Sequence, residues 1–157
     1  MISPEELRRY PFFSFMTHEQ MREVAMITDE MEAAEGETLF HIDDPADACY
    51  MIVNGAVDLH YVVIDEHEPD LRKDFMVGSV NPGELLGVSA VVEPYEYTVS
   101  AVAIEDTKLL KTDAEALREL CENDLELAHG LQRQIAKETL AKLHSARVQL
   151  AAATAPG

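Results

Sequence analysis

Hydrophobic residues follow two different spacings along the chain, and the spacing changes twice. Near the amino terminus they recur every three to four residues from Met21 to Met31, which is the spacing of one helix face. Thr17, with Gln20 three residues later, forms a capping box that predicts where this helix begins. We therefore predict a helical region over residues 1–33.

Residues 34–112 instead show short apolar runs separated by turn residues. The runs that predict strands are 38–40, 49–53, 57–64, 75–80 and 98–104. Asn54-Gly55 lies between two runs and predicts a tight hairpin. Many short strands with no helices between them indicate an antiparallel β-roll, jelly-roll-like (a double-stranded β-helix), and not a doubly wound α/β sheet. The predicted fold class is mainly β with flanking α-helices.

The helical spacing returns after residue 112. Thr112 and Glu115 stand at the two positions of a second capping box, and Asn123 can cap a longer helix that follows. The apolar side chains of that helix form an imperfect stripe: Leu127, Leu131, Ile135, Leu140, Leu143 and Leu150. A helix of ~25 residues is ~37 Å long, which is more than a small roll can cover. We predict C-terminal helices over 113–150 and a homodimer through Leu131, Ile135 and Leu143; a helix folded back along its own domain is the alternative.

The composition is that of one globular domain. Hydrophobic residues make up 47% of the 157 residues, which is enough for a core. We predict a single domain over 1–150 and a disordered tail at 151–157. No apolar segment is long enough to cross a membrane, and the first residues lack the pattern of a signal peptide. Cys49 and Cys121 belong to no metal or disulfide motif, so we predict a soluble cytoplasmic protein with reduced thiols.

The formal net charge of −18 is concentrated in one part of the chain. Between Glu23 and Thr107 there are twenty acidic residues, and the only bases are Arg72 and Lys73. Duplex affinity depends on neutralising phosphates with lysine and arginine, so direct binding of nucleic acid is disfavoured. Such a surface also serves solubility alone, and that interpretation stays open.

Several short motifs occur in a fixed order along the chain. They are Pro11-Phe12-Phe13, Gly36-Glu37-Thr38-Leu39-Phe40, Asp44-Pro45-Ala46-Asp47, Tyr50-Met51-Ile52 and Asn54-Gly55-Ala56-Val57. This order resembles the cyclic-nucleotide-binding domain superfamily of catabolite-activator-type regulators, kinase regulatory subunits and gated channels. The resemblance implies a β-roll that holds a small ligand. Asp43 stands where the family usually has glycine, but aspartate tolerates a left-handed turn.

The second half of the resemblance is incomplete. In the family, a glycine-led cassette offers backbone N–H groups to the cyclic phosphate, a glutamate binds the ribose hydroxyl and an arginine pairs with the phosphate. Gly83 and Gly87 retain the turn. Val88, however, stands at the glutamate position and Tyr95 at the arginine position, and the stretch between them is shorter than usual. Glu96 replaces a small hydroxyl residue.

The missing arginine has no replacement in this segment, because no lysine or arginine occurs between residues 74 and 107. Arg133 or Arg147 of the long helix is the remaining source. Leaving a buried charge unpaired costs ~3–5 kcal/mol. Helix-terminus amides offset only ~0.3–2 kcal/mol of that cost. Binding of cyclic AMP or cyclic GMP in the usual mode is therefore disfavoured.

Two interpretations of the altered segment remain. In the first, it forms a pocket that binds a neutral, aromatic or cationic ligand in place of a cyclic nucleotide. In the second, the side chains of Tyr95 and Tyr97 fill the cassette and no ligand binds. The candidate ligand-binding residues are Gly83, Gly87, Val88, Ser89, Tyr95, Glu96 and Tyr97.

The chain lacks the motifs of enzymes and metal sites. His41, His60 and His67 make no H-x-H pair with a nearby glutamate, and no phosphate loop or nucleophile elbow occurs. We expect no catalysis, metal or cofactor. The resemblance implies a helix-turn-helix after the long helix in family regulators. We expect none in this stand-alone chain, and we therefore expect any control of transcription to require a protein partner. Three functions remain: a sensor of another small molecule, a ligand-free dimerisation or interaction module, and a cyclic AMP or cyclic GMP receptor with an unusual binding mode.

Overall fold

The computed structural model describes residues 1–156, and its centre consists of two four-stranded antiparallel sheets. The strands are β1 (Thr28–Ala33), β2 (Thr38–Phe40), β3 (Ala48–Asn54), β4 (Val57–Ile64), β5 (Arg72–Val80), β6 (Leu85–Leu86), β7 (Ser100–Ala103) and β8 (Thr107–Asp113). The helices are α1 (Pro4–Arg8), α2 (His18–Met26), α3 (Ala114–Asn123) and α4 (Leu125–Thr154), with 3₁₀ turns at Pro11–Phe13 and Val88–Val91. This architecture confirms the predicted β-roll with flanking helices.

The strand order explains why Asn54-Gly55 does not form a hairpin. One sheet has the order β1-β8-β3-β6 and the other β2-β7-β4-β5, so β3 and β4 lie in different sheets. Gly55 has a φ of 104°, and a Cβ there would lie 2.7 Å from the Cα of Thr107. Only glycine lets the chain pass so close to β8 while it crosses between the sheets. The hairpin prediction was therefore wrong, although the turn itself is present.

We expect Gly55→Ala to lower the free energy of unfolding by about 2–4 kcal/mol, because it combines a left-handed backbone with a steric clash. Gly36→Ala is the matched control, since Gly36 has a φ of 86° but a methyl group added there would meet nothing within 4 Å. That control should cost only the backbone strain, about 1–2 kcal/mol. Urea unfolding of both variants measures the difference, and equal losses would contradict the role assigned to Thr107.

The first long helix begins as predicted but ends earlier. Thr17 and Gln20 form the capping box, with the Thr17 hydroxyl accepting from the Gln20 N–H. The predicted helical region to residue 33 was wrong, because Thr28–Ala33 is a strand paired with β8 along its length. The Thr28 hydroxyl lies 2.8 Å from the Thr112 hydroxyl on that partner strand. Cross-strand pairing thus overrides the helical spacing that Met31 had suggested.

The C-terminal helices begin one residue later than predicted. Asp113, not Thr112, caps α3, because Thr112 is part of β8 and its hydroxyl faces Thr28. Asp124, not Asn123, caps α4 by accepting from the Leu127 N–H. Residues 151–154 are helical, so the predicted disordered tail was wrong there, while Gly157 lies outside the described residues. No helix within residues 1–156 is long and apolar enough to span a membrane.

The two ends of α4 have different surroundings. Leu131 and Ile135 are 5% and 7% exposed and belong to the domain's own core, together with Leu127. The prediction that Leu131 and Ile135 contact a second copy was therefore wrong: the domain itself covers them. Leu140 and Leu143 are 66% and 41% exposed. Val148 and Leu150 are also exposed, at 54% and 64%.

Candidate functional site

The cassette, residues 82–97, runs along the end of the roll beside α3 and α4. Gly83, with a φ of 85°, lies in the turn before β6, and its N–H donates to the Ile52 carbonyl at 2.8 Å. Strand β6 pairs with β3. Gly87, with a φ of 76°, then begins the 3₁₀ turn that contains Val88 and Ser89, both half-buried. The two glycines thus form left-handed turns at the positions that the sequence predicted.

Tyr97 occupies the space beside Gly87. Its side chain is 2% exposed, and its ring stacks on Phe40 with 3.8 Å between the ring centroids and 13° between the planes. A Cβ at Gly87 would lie 3.2 Å from the Tyr97 ring. Phe40 also stacks on Tyr50 at 6.0 Å, so three rings form one column. The ring of Tyr97 is therefore part of the packed interior.

The hydroxyl of Tyr97 has its hydrogen-bond partners inside the protein. It donates to the Ala48 carbonyl at 2.6 Å and accepts from the Ala48 N–H at 3.2 Å. A carboxylate oxygen of Asp47 lies 3.3 Å away. Burial raises the pKa of the Tyr97 hydroxyl above its usual range, so the group remains a neutral donor. The hydrogen-bond partners of this hydroxyl are therefore supplied by the protein itself, from Ala48 and Asp47.

Tyr95 lies in different surroundings. It has a left-handed φ of 61°, and its backbone carbonyl accepts from the Ala46 N–H at 2.7 Å. Its half-buried ring lies under the guanidinium of Arg118, whose carbon is 4.0 Å from the ring centroid. Nε of Arg118 donates to the Ala90 carbonyl at 2.7 Å, and a terminal nitrogen donates to the Ala46 carbonyl at 2.8 Å. Arg118 of α3 therefore lies beside Tyr95, which stands at the family's arginine position. Its guanidinium, however, is used to hold the cassette against the roll through the carbonyls of Ala90 and Ala46.

Arg118 was missed by the sequence analysis, which considered only Arg133 and Arg147 as substitutes. The signal was available in the spacing of α3. Ala114 and Leu117 are its buried residues, and Arg118 follows Ala114 by four positions, so it projects from the same face. A single arginine on the buried face of an amphipathic helix indicates a specific partner. Here the partners are two carbonyls and an aromatic ring.

The remaining candidate residues do not converge. Glu96 is exposed and forms an isolated bridge with Pro45. Cys49 is buried, and burial raises the pKa of its thiol to about 12, which makes it a small core residue and not a nucleophile. Nδ1 of His60 lies 2.7 Å from a carboxylate oxygen of Asp74 on the neighbouring strand. Within residues 1–156, no group of three or more histidine, cysteine or acidic side chains could hold a metal ion.

The fold and the glycine turns of the cassette define a class of regulatory domain. A family model described as "Cyclic nucleotide-binding domain" matches residues 30–124. The chain therefore belongs to the cyclic nucleotide-binding domain family, and it is a regulatory module of that class.

Particular relatives support this assignment. A crystal structure of a protein from Geobacter metallireducens GS-15, described as a cyclic nucleotide-binding protein, is 35% identical with a TM-score of 0.79, and the match covers 92% of this chain and 100% of that one. The N-terminal domain of a transcriptional regulator from Streptomyces coelicolor A3(2) is 31% identical with a TM-score of 0.64, covering 90% and 94%. The CRP-like cAMP-activated global transcriptional regulator of Mycobacterium tuberculosis is 26% identical over 117 residues, covering 73% of this chain and 50% of the relative. The chain spans about half the length of such curated relatives.

Proposed function

We propose that this protein is a non-catalytic regulatory module whose cassette is closed by its own side chains and which acts as a dimerisation and interaction module. The observation that supports the closed cassette best is Tyr97, which is 2% exposed with its hydroxyl bonded to the backbone of Ala48. A ligand beside Gly87 would have to displace this ring from Phe40 and break both bonds to Ala48.

The charges around the cassette also disfavour a cyclic phosphate. Arg118 is the cation beside Tyr95, and two of its nitrogens already donate to the carbonyls of Ala46 and Ala90. A phosphate would therefore compete for Arg118 with backbone groups that would be left without a donor. An orphaned buried polar group costs about 1–3 kcal/mol. Asp47, near the Tyr97 hydroxyl, adds a negative charge to the same region.

Titration calorimetry tests the closed cassette directly. We expect no heat of binding when cyclic AMP or cyclic GMP is added to millimolar concentration. The second candidate function, a cyclic AMP receptor with an unusual binding mode, is favoured by relatives such as the Cyclic AMP receptor protein of Thermus thermophilus, which is 30% identical over 103 residues. Micromolar binding of either nucleotide would overturn the closed cassette and favour that receptor function.

A thermal-shift screen against a broad set of metabolites tests whether the cassette is instead retuned for another ligand. A ligand at 100 times its dissociation constant stabilises the folded state by ~2.7 kcal/mol. A closed cassette predicts unchanged melting temperatures across the set. A reproducible shift that Tyr97→Phe alters would contradict closure, because the Tyr97 hydroxyl would then take part in binding.

The proposed dimer uses the far half of α4. Ala136, Leu140, Leu143, Arg147 and Leu150 follow one another at alternating spacings of four and three residues, which is the repeat of a helix-pairing seam. This row faces away from the buried row that contains Leu127, Leu131 and Ile135. A second copy of the chain would cover the exposed leucines, so we propose a homodimer in which the two α4 helices pair along this row.

The charge and the cysteines support the rest of the proposal. The acidic surface between residues 23 and 107 is unfavourable for phosphate backbones, so we propose that the module contacts proteins and not nucleic acid. Cys49 and Cys121 are free thiols, which fits a reducing compartment such as the cytoplasm. The cassette presents no paired acid and base, so no catalytic role is proposed.

A further inference from the structure

A groove of about 530 Å³ runs along the outer face of the first half of α4. Phe15 and Leu125 supply its apolar surface, and His129, Arg133 and Lys137 stand along it at helical spacing. Glu126 is the one acidic side chain of its lining. The ring of Phe15 packs on Gly130, where a side chain would clash with it. The groove is therefore a built feature of the fold, with an aromatic floor and a basic edge.

The groove brings two cations and a histidine together on one helix face in a chain with a net charge of −18. Among residues 1–156, neither Arg133 nor Lys137 has a carboxylate within ion-pair distance. Two unpaired cations beside an exposed leucine and an aromatic ring match an acidic segment that also has an apolar side chain.

The chain itself has such a segment at the end of the β4–β5 hairpin. Glu66, Glu68 and Asp70 lie in the connecting loop, and Leu71 beside them is 57% exposed. Asp65 is engaged within the loop, since its carboxylate accepts from the N–H groups of His67 and Glu68. The three other acids have no cation within ion-pair distance among the described residues. The hairpin also leaves further apolar side chains uncovered: Tyr61, Ile64, Phe75 and Met76.

We infer that the groove between Phe15 and α4 of one copy binds the acidic loop, residues 66–71, of a second copy. The inference rests on the proposed homodimer, because it names the part of the partner that each groove receives. A twofold axis generates the contact twice, so one symmetric arrangement covers both grooves and both hairpins. An acidic segment of an unrelated protein would fill the groove but would leave the apolar side chains of the hairpin exposed.

Charge reversal on each side tests the contact in the full chain. The test variants are R133E/K137E in the groove, E66K/E68K in the loop, and the combination of all four changes. The control is K108E/K111E, which changes the net charge by the same amount as the groove variant. Sedimentation equilibrium at low salt gives the dimer dissociation constants. We expect each one-sided variant to weaken the dimer about tenfold, and the combined variant to return to within about threefold of the unmodified protein. The control should change the constant by less than about twofold.

A second measurement identifies the contact itself. A zero-length carbodiimide cross-linker applied to a mixture of unlabelled and nitrogen-15-labelled protein should join Lys137 of one copy to Glu66, Glu68 or Asp70 of another. A stable dimer whose constant is the same in all four variants, and which gives no such cross-link, would overturn the groove–loop contact and leave the α4 dimer standing. A monomeric unmodified protein would instead overturn the proposed dimer, and the contact with it.

Discussion

Replacing Leu140 and Leu143 with aspartate should convert the protein from a dimer to a monomer. Both leucines are exposed in the single chain, at 66% and 41%, and in the proposed dimer both are buried against the partner's α4. Burying one leucine side chain contributes about 1.5–3 kcal/mol, and the twofold axis repeats each contact. The dimer dissociation constant should therefore increase at least about 1000-fold, which sedimentation equilibrium measures over a concentration series.

The control for this variant is Met26→Asp. Met26 is 67% exposed at the end of α2, so the same kind of change is made away from α4. This control should leave the dissociation constant unchanged. Far-ultraviolet circular dichroism should show that both variants keep their helix content. Sedimentation of the unmodified protein as a monomer, or of the double variant as an unchanged dimer, would contradict pairing along the row that contains Leu140 and Leu143.

The second large effect is expected at Tyr97. Tyr97→Ala removes a buried ring from the column with Phe40 and Tyr50 and leaves the N–H and carbonyl of Ala48 without their partner. Large-to-small changes of buried aromatic residues cost about 3–5 kcal/mol, and we expect a loss of stability in that range. Urea unfolding measures this loss.

Tyr97→Phe separates the two contributions, because it keeps the ring and removes only the hydroxyl. We expect this variant to lose about 1–3 kcal/mol, the cost of the unpaired Ala48 groups. Tyr61→Ala is the control, since Tyr61 is 49% exposed on the β4–β5 hairpin and should cost less than about 1 kcal/mol in the folding equilibrium. A Tyr97→Ala variant as stable as Tyr61→Ala would mean that the cassette does not depend on this ring.

The fold could be predicted because several independent local patterns agreed. The capping box at Thr17 and Gln20 depends on hydrogen bonds within one helical turn, and it is present. The predicted strands depend on short apolar runs and on the turn residues between them, and both of these are local features of the sequence. Predictions failed where a distant strand decides the outcome. Thr28 to Ala33 continues a helical spacing in the sequence, but it pairs with β8, where Thr112 lies 84 residues beyond Thr28, and this pairing makes it a strand.

The site was only partly predictable for the same reason. The loss of the family's glutamate and arginine could be identified from Val88 and Tyr95 alone. The sequence could not show that Tyr97 is enclosed by Phe40 and Ala48, because these residues come from three separate parts of the chain. Leu131 and Ile135 were assigned to a dimer contact because their spacing fits any apolar neighbour. Periodicity predicts which face of a helix is covered but not which molecule covers it.

The hydrogen bonds of Arg118 have a mechanical consequence. They fix α3 to the cassette, and Asp124 alone separates α3 from α4. The buried residues of α4 all lie in its first half, so the second half projects beyond the packed core. A bend of about 5° beyond Ile135 displaces Leu150 by about 2 Å, given the rise of 1.5 Å per helical residue. In the proposed homodimer, a change in the contacts of Arg118 would therefore alter how the two α4 helices pair.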